Sequence, residues 1–260
     1  MSLAGRRALV TGSSRGIGRA IALRLAAKGC EIAVNYRRDR AAADAVVAEA
    51  RALGVRAEAF QGAVERWDDC VALVRGTVER LGPPDILVNN AGVPGFGRNL
   101  ADAEVTDMQS VMAVNTLGAF YMSKLCIPEL RRHERSDIIF IGSTSATLCP
   151  PMNGIYSMAK AAVGALSQTL AKEERGAGMR VNTVAPTLTA SDMGNEFAPL
   201  FNVRDLREID GASPFGRVCL PEDIAAAVGF LVSPDNFYIS GQILIVDGAT
   251  GGLIAGAKVD

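Results

Sequence analysis

The chain is 260 residues long, 49% of them hydrophobic, with 27 Lys plus Arg set against 28 Asp plus Glu. That balance leaves no net field to draw it to nucleic acid or to an acidic membrane, and its flat apolar runs fall far short of the roughly 20 residues a membrane span requires, so the expected partner is a small molecule. Cys30, Cys70, Cys126, Cys149 and Cys219 are widely spaced, without a Cys-x-x-Cys pair. They predict reduced, mostly buried thiols rather than disulfides or a metal site, and an N-terminus without the cationic start and long apolar stretch of a secretion signal reads as cytoplasmic.

In chain order, short runs rich in Val and Ile at residues 8–10, 32–36, 57–60, 86–88, 138–141, 181–184 and 243–246 alternate with longer stretches. Residues 17–28, 40–53, 67–81 and 156–175 place apolar side chains at helical spacing with charges on the remaining face. Alternation of this kind predicts β-α units feeding a parallel sheet, with each strand apolar enough to be covered by helices on both faces. No linker or repeat interrupts the pattern, so residues 1–260 read as one doubly wound α/β domain with a seven-stranded parallel sheet. The irregular stretch 187–214 follows a strand end and mixes polar residues with Met193, Phe197, Leu200 and Phe201, as suits a substrate lid. His133, the only histidine, lies in a charged stretch that reads as a solvated helix end, which excludes Ser-His-Asp and Cys-His chemistry.

Directly after the first strand comes Thr11-Gly12-Ser13-Ser14-Arg15-Gly16-Ile17-Gly18. Glycines at a strand-to-helix turn let backbone N–H groups and the positive end of the helix dipole approach a pyrophosphate; the alternative is a tight turn needing glycine for steric reasons alone. The spacing G-x-x-x-G-x-G differs from the G-x-G-x-x-G of most Rossmann dehydrogenases. The second strand ends in Asn35-Tyr36-Arg37-Arg38, where an NAD enzyme usually places an acid for the ribose 2′-hydroxyl. Arg15, Arg37 and Arg38 instead suit a 2′-phosphate, so NADP(H) is favoured, while nearby Asp39 leaves NAD(H) possible.

In Tyr156-Ser157-Met158-Ala159-Lys160, helical spacing puts Tyr156 and Lys160 on one face. A phenol titrates near 10, and a neighbouring ammonium favours its ionised form, making Tyr156 a candidate general acid or base. Ser143 follows the strand 138–141, at the end that lines the crevice of a parallel sheet; its hydroxyl suits either bonding a substrate oxygen or capping the next segment. Gly95, Phe96, Leu148 and Met152 suggest a pocket for a partly hydrophobic molecule, or core.

Together these residues resemble the short-chain dehydrogenase/reductase family across residues 8–248. Gly12, Ser14, Arg15, Gly16, Ile17 and Gly18 look like its cofactor loop, Asn89-Asn90-Ala91-Gly92 like its fourth-strand motif, and Asn115, Ser143, Tyr156 and Lys160 like its catalytic set. The resemblance implies a Rossmann fold in which Tyr156 protonates a carbonyl oxygen, Lys160 lowers its pKa and binds the nicotinamide ribose, Ser143 orients the carbonyl and Asn115 holds a relay water. It also implies that Tyr36, Arg37, Arg38, Asn89, Ala91, Gly92, Tyr156, Lys160, Pro186 and Ser191 line the cofactor. Two positions depart from the family pattern: Ala63 stands where an aspartate is usual, and Thr187 where a glycine is.

Within the family, the arginine-containing loop and Pro221-Glu222-Asp223-Ile224 resemble 3-oxoacyl-carrier-protein reductases. The expected activity is NADPH-dependent reduction of a 3-oxoacyl thioester or similar ketone. Alternatives are an NAD(P)-dependent dehydrogenase of a sugar, steroid, polyketide or other secondary alcohol, and a non-catalytic nucleotide-binding regulator. Arg131, Arg132 and Arg175 offer a basic patch for an acyl-carrier protein, interleaved with Glu134, Glu173 and Glu174. Related proteins pair helices and C-terminal strands into tetramers, so a homotetramer is expected.

Overall fold

A computed structural model describes residues 2–95 and 97–251. Seven parallel strands form one sheet in the order β3-β2-β1-β4-β5-β6-β7, namely β1 (Arg7–Val10), β2 (Glu31–Tyr36), β3 (Ala57–Gln61), β4 (Ile86–Asn89), β5 (Ser136–Ile141), β6 (Met179–Pro186) and β7 (Ile243–Val246). The order reverses between β1 and β4, which pair as Ala8↔Ile86 through Val10↔Val88. At such a switch point the loops leaving neighbouring strand ends diverge and open a ligand crevice.

The helices α1 (Gly16–Ala26), α2 (Arg40–Ala52) and α9 (Pro221–Leu231) cover one face. Ile21, Leu25, Val46 and Val228 there pack on Val10, Ile32, Val34 and Ile139. The other face is covered by α3 (Trp67–Arg80), α5 (Gly118–Leu130) and α7 (Gly154–Glu173), whose Leu73, Met122 and Val163 meet Leu9, Leu87, Phe140 and Val181. Side chains alternate across a strand, so Ile32 and Val34 belong to one core and Ala33 to the other.

The expected strands and helices all form, but three features differ from expectation. The helices α4 (Val105–Met112), α5 and α9 form outside the stretches with helical spacing named above: α5 carries Pro128 within it, and a π-turn over Ala113–Leu117 joins it to α4. β7 is not covered on both faces, since Ile243, Leu244 and Ile245 are 40%, 38% and 51% exposed on the sheet edge. Finally, the helical run Val105–Leu130 is long and apolar enough to cross a membrane on length and composition, although in the fold α5 packs on α3, β4 and β5.

At the N-terminal ends of the strands, opposite the crevice, the Arg6 guanidinium donates to Asp85 Oδ2 at 2.8 Å and to Asp137 Oδ2 at 2.9 Å, and Arg180 Nε donates to Asp137 Oδ1 at 2.9 Å. Asp137 is 1% exposed. Opposite charges on both sides of this buried carboxylate tie β1, β4, β5 and β6 together beneath the site.

Candidate active site

The glycine loop is held by its neighbours. Asn35 Oδ1 accepts from Gly12 N at 3.0 Å while its Nδ2 donates to the carbonyls of Phe60 and Gly62. Asn90 Nδ2 donates to the carbonyls of Thr11 and Gly12 at 2.8 and 3.1 Å, and Thr11 Oγ1 accepts from Asn90 N and Ala91 N. A Cβ on Gly18 would lie 2.4 Å from Asn90 Nδ2 and 2.5 Å from Gly12 O, and Gly12 and Gly16 adopt φ of +61° and +55°. Only glycine fits these positions without displacing the loop.

Gly16 and Ile17 then open α1, whose first turn carries no acid and whose N-cap residue, Arg15, makes no side-chain cap. The first N–H groups of a helix lack intrahelical partners, so this end suits a phosphate. The backbone cradle therefore fits a pyrophosphate, with Gly12, Ser14, Arg15, Gly16, Ile17 and Gly18 the residues that would hold it.

Around the cradle, Ala91 and Gly92 follow β4, Pro186 ends β6, and Ser191 caps the short helix α8 (Asp192–Asn195). A Cβ on Gly16 would stand 3.8 Å from Ser191 Cβ, so the start of the 187–214 stretch overlies the glycine loop. Ala190, Ala198 and Leu206 of that stretch form a small separate core with Val218, which follows it. Arg37 and Arg38 lie exposed at the β2 exit.

Two expected cofactor residues turn elsewhere. The Tyr36 ring lies in the core at 3% exposure, and the Asn89 amide is buried, its Nδ2 donating to Ser123 Oγ at 3.0 Å. Alternation at the strand end explains both: each occupies the last position of its strand and points into a helix layer. Asn35, Thr11 and Asn90, quoted in the sequence only as motif letters, carry the positioning role. Their signal was short amide and hydroxyl side chains at strand ends, which suit backbone bonding.

Ser143 leaves β5 after Gly142, where a Cβ would meet Thr183 Cγ2 at 2.7 Å. Its Oγ accepts from Ser145 N at 3.1 Å. The capping reading of Ser143 thus has a geometric basis. Burial pushes the Tyr156 phenol up to about 12, and the Ser143 hydroxyl opposes that rise.

Lys160 is 5% exposed, donates to Ile141 O at 2.9 Å and lies 5.6 Å from the Tyr156 ring centroid. Desolvation brings its ammonium down to about 8. With the phenol up at about 12, Tyr156 is held in its protonated form at neutral pH. An ammonium has three donors, and two remain beyond the bond to Ile141.

Asn115 sits in the π-turn, 2% exposed. Its Nδ2 donates to the carbonyls of Val93 and Val111, each at 3.0 Å, and Oδ1 accepts from Val93 N at 3.3 Å. Both amide hydrogens are thereby used on the backbone, so a relay water is left only the remaining lone pair on Oδ1. A Cβ on Gly92 would stand 2.6 Å from that Oδ1 and 3.7 Å from Lys160 Nζ. Asn115 thus fixes the loop after β4 against Lys160.

A small cavity over Tyr156 is lined by Gly95, Arg98, Asp107, Met152 and Asn153. Leu148 and Met152 are 45% and 47% exposed; Phe96 lies outside the described residues. Of the departures, Ala63 donates its backbone N–H to Asp69 Oδ2 at 3.0 Å, and Thr187 N–H bonds to Val246 O at 3.1 Å.

Residues 12–250 match a family model described as enoyl-(acyl carrier protein) reductase. A 3-oxoacyl-[acyl-carrier-protein] reductase of Synechocystis is 38% identical over 248 residues, covering 95% of this chain and 97% of the relative. Among solved structures, a short-chain dehydrogenase from Burkholderia cenocepacia in complex with NADP is 35% identical at TM-score 0.87, covering 95% of this chain and 98% of that one. The 3-ketoacyl-(acyl-carrier-protein) reductase of Brucella melitensis complexed with NADH is 29% identical at TM-score 0.86, covering 97% of this chain and 100% of that one. The chain belongs to the short-chain dehydrogenase/reductase family of oxidoreductases. Within it, the similarity runs to the 3-oxoacyl-carrier-protein reductases.

Proposed function

We propose that this protein is an NADPH-preferring ketoreductase that converts a 3-oxoacyl thioester or similar ketone to the secondary alcohol. The observation that carries the reading is the clustering at the β5 end: Lys160, buried one turn beyond Tyr156 on α7, donates to Ile141 O at 2.9 Å and lies 5.6 Å from the Tyr156 ring centroid, with Ser143 two residues past that strand end. A bound reduced nicotinamide supplies the hydride. Tyr156 and Ser143 converge on one carbonyl oxygen; Ser143 orients it and Tyr156 delivers the proton as charge develops. Lys160 keeps a positive charge beside the nascent phenolate and offers its remaining donors to ribose hydroxyls. Two hydroxyls aimed at one oxygen favour carbonyl reduction over reduction of a carbon–carbon double bond.

The relatives' names, and the cofactors of the two solved structures, support a nicotinamide dinucleotide held by the glycine loop, Arg15, Arg37, Arg38, Ala91, Gly92, Pro186 and Ser191. Support for a docked carrier protein is weaker. Arg131 forms a two-pronged ion pair with Glu174 at 2.7 and 2.8 Å, and Arg132 pairs with Glu129 at 2.7 Å, which neutralises much of the basic patch. The thioester itself is then the recognised unit.

The working form in this reading is a cytoplasmic homotetramer. Its support is the buried thiols of Cys30, Cys70 and Cys126 and the apolar surface left on Met108, Leu117 and Phe120 of the α4–α5 run and along β7. The test is a spectrophotometric assay of NADPH and then NADH oxidation with an acetoacetyl thioester and a ketone panel. Thioester-dependent NADPH oxidation that disappears in Tyr156→Phe is the expected result. Activity confined to other carbonyls moves the assignment to another secondary alcohol, and dinucleotide binding without turnover would sink the enzyme reading.

A further inference from the structure

We propose that Glu65 is a specificity-determining residue at the adenosine end of the crevice: by pairing with Arg37 it restrains the preference for a 2′-phosphorylated ribose and keeps the unphosphorylated form acceptable. The inference rests on the dinucleotide-binding reading above. Arg37 directly follows β2, and Glu65 lies four residues beyond β3, its neighbour in the sheet, where Tyr36 is paired with Gln61. Gln61 Nε2 donates to the Arg37 carbonyl at 3.1 Å, which fixes the backbone from which the guanidinium projects. Arg37 Nη2 then meets Glu65 Oε1 at 2.8 Å.

The pair is asymmetric, with the Arg37 side chain 51% exposed and that of Glu65 only 18%. Glu65 is therefore the anchored partner and Arg37 the one facing a ligand. The other charges at this end are differently disposed. Arg15 lies 3.9 Å from Asp192, with 78% and 69% of the two side chains exposed, a loose pairing. Asp39 accepts from Ala42 N as the cap of α2. Among the described residues Arg38 has no ion-pair partner. Among the described residues, Glu65 is thus the one carboxylate at this end partly buried against a guanidinium that a 2′-phosphate would seek.

The physical consequence differs for the two ribose forms. A 2′-phosphate is a dianion at neutral pH and benefits from an unneutralised guanidinium. Glu65 both offsets the charge of Arg37 and repels the phosphate at short range. A 2′-hydroxyl carries no charge, loses nothing to the carboxylate and can donate a hydrogen bond to it. The expected result is a smaller discrimination between the phosphorylated and plain nucleotides than three arginines would give alone.

The test is titration calorimetry of the full-length protein with 2′,5′-ADP and with 5′-AMP, for the wild type, Glu65→Gln, Arg37→Ala and the double variant. Glu65→Gln is expected to tighten 2′,5′-ADP by about threefold at low salt, the scale of a partly exposed ion pair, with the gain fading at high salt and 5′-AMP unimproved. Arg37→Ala weakens 2′,5′-ADP, and most of the gain from Glu65→Gln disappears in its background. Unchanged or weaker 2′,5′-ADP binding by Glu65→Gln, or an undiminished gain without Arg37, overturns the role given to Glu65 while leaving the dinucleotide site standing. A wild-type protein that binds neither fragment overturns the dinucleotide reading, and this inference with it.

Discussion

Replacing Lys160 by methionine is expected to stabilise the protein near pH 7 while removing its activity. The ammonium is buried at 5% exposure, and desolvation brings it from 10.5 down to about 8. At about 1.36 kcal/mol per pH unit, that descent corresponds to about 3 kcal/mol of unfavourable charge burial. Losing the bond to the Ile141 carbonyl offsets about 1 kcal/mol, leaving a net gain of about 2 kcal/mol for the methionine variant, whose chain fills a similar volume. The sign follows from proton linkage. The unfolded chain binds more protons at this site between about pH 8 and 10.5, so the penalty is fully present below about 8, shrinks as the pH rises and is gone above 10.5.

Urea denaturation of both proteins across that interval is the assay. The methionine variant should have the higher midpoint at pH 7, and its advantage should vanish and then reverse toward pH 10.5. A variant less stable at pH 7, or a difference independent of pH, would refute the claim that Lys160 is a desolvated charge held for function. Retaining such a residue at the expense of stability is what active sites do.

In carbonyl reduction, kcat/KM should stay flat up to about pH 8 and then fall about tenfold per pH unit as Lys160 loses its charge, since the Tyr156 phenol, up at about 12, remains protonated; an acid limb near neutrality would contradict this. Tyr156→Phe should lower turnover by about 10²–10⁴-fold, the usual contribution of a positioned proton donor, with dinucleotide affinity changed little, as measured by fluorescence titration. Gly18→Ala should abolish dinucleotide binding and lower stability by about 1–3 kcal/mol, because its methyl would lie 2.4 Å from Asn90 Nδ2; nucleotide binding at wild-type strength would show that the loop tolerates displacement. Asp137→Asn should cost about 3–5 kcal/mol by leaving Arg6 and Arg180 without their shared buried carboxylate, read as a lower midpoint in chemical denaturation.

What the sequence by itself determined was the alternation and the motifs. Val- and Ile-rich runs between amphipathic stretches specify a parallel sheet covered by helices, because local periodicity follows the face each residue must bury. Gly12, Gly16 and Gly18 were legible because backbone conformation and close approach leave no substitute, and Tyr156 with Lys160 because helical spacing is a local property. Elements whose burial is set by several neighbours at once were not legible: α5 is apolar around much of its circumference and carries a proline and a π-turn, so no single period marks it.

Only the tertiary structure decided which strand-end residues reach the crevice. Tyr36 and Asn89 turn into the helix layers while Asn35 and Asn90 take up the glycine loop, and a one-residue change of side along a strand reverses those roles. It also decided the electrostatics. Tyr156 and Lys160 are neighbours in sequence as a proton donor and its ammonium, yet desolvation, which depends on everything packed around them, moves the phenol up and the ammonium down. The pairing of Arg37 with Glu65 belongs to the same class of fact, since these residues are far apart along the chain and meet only because β2 and β3 lie side by side.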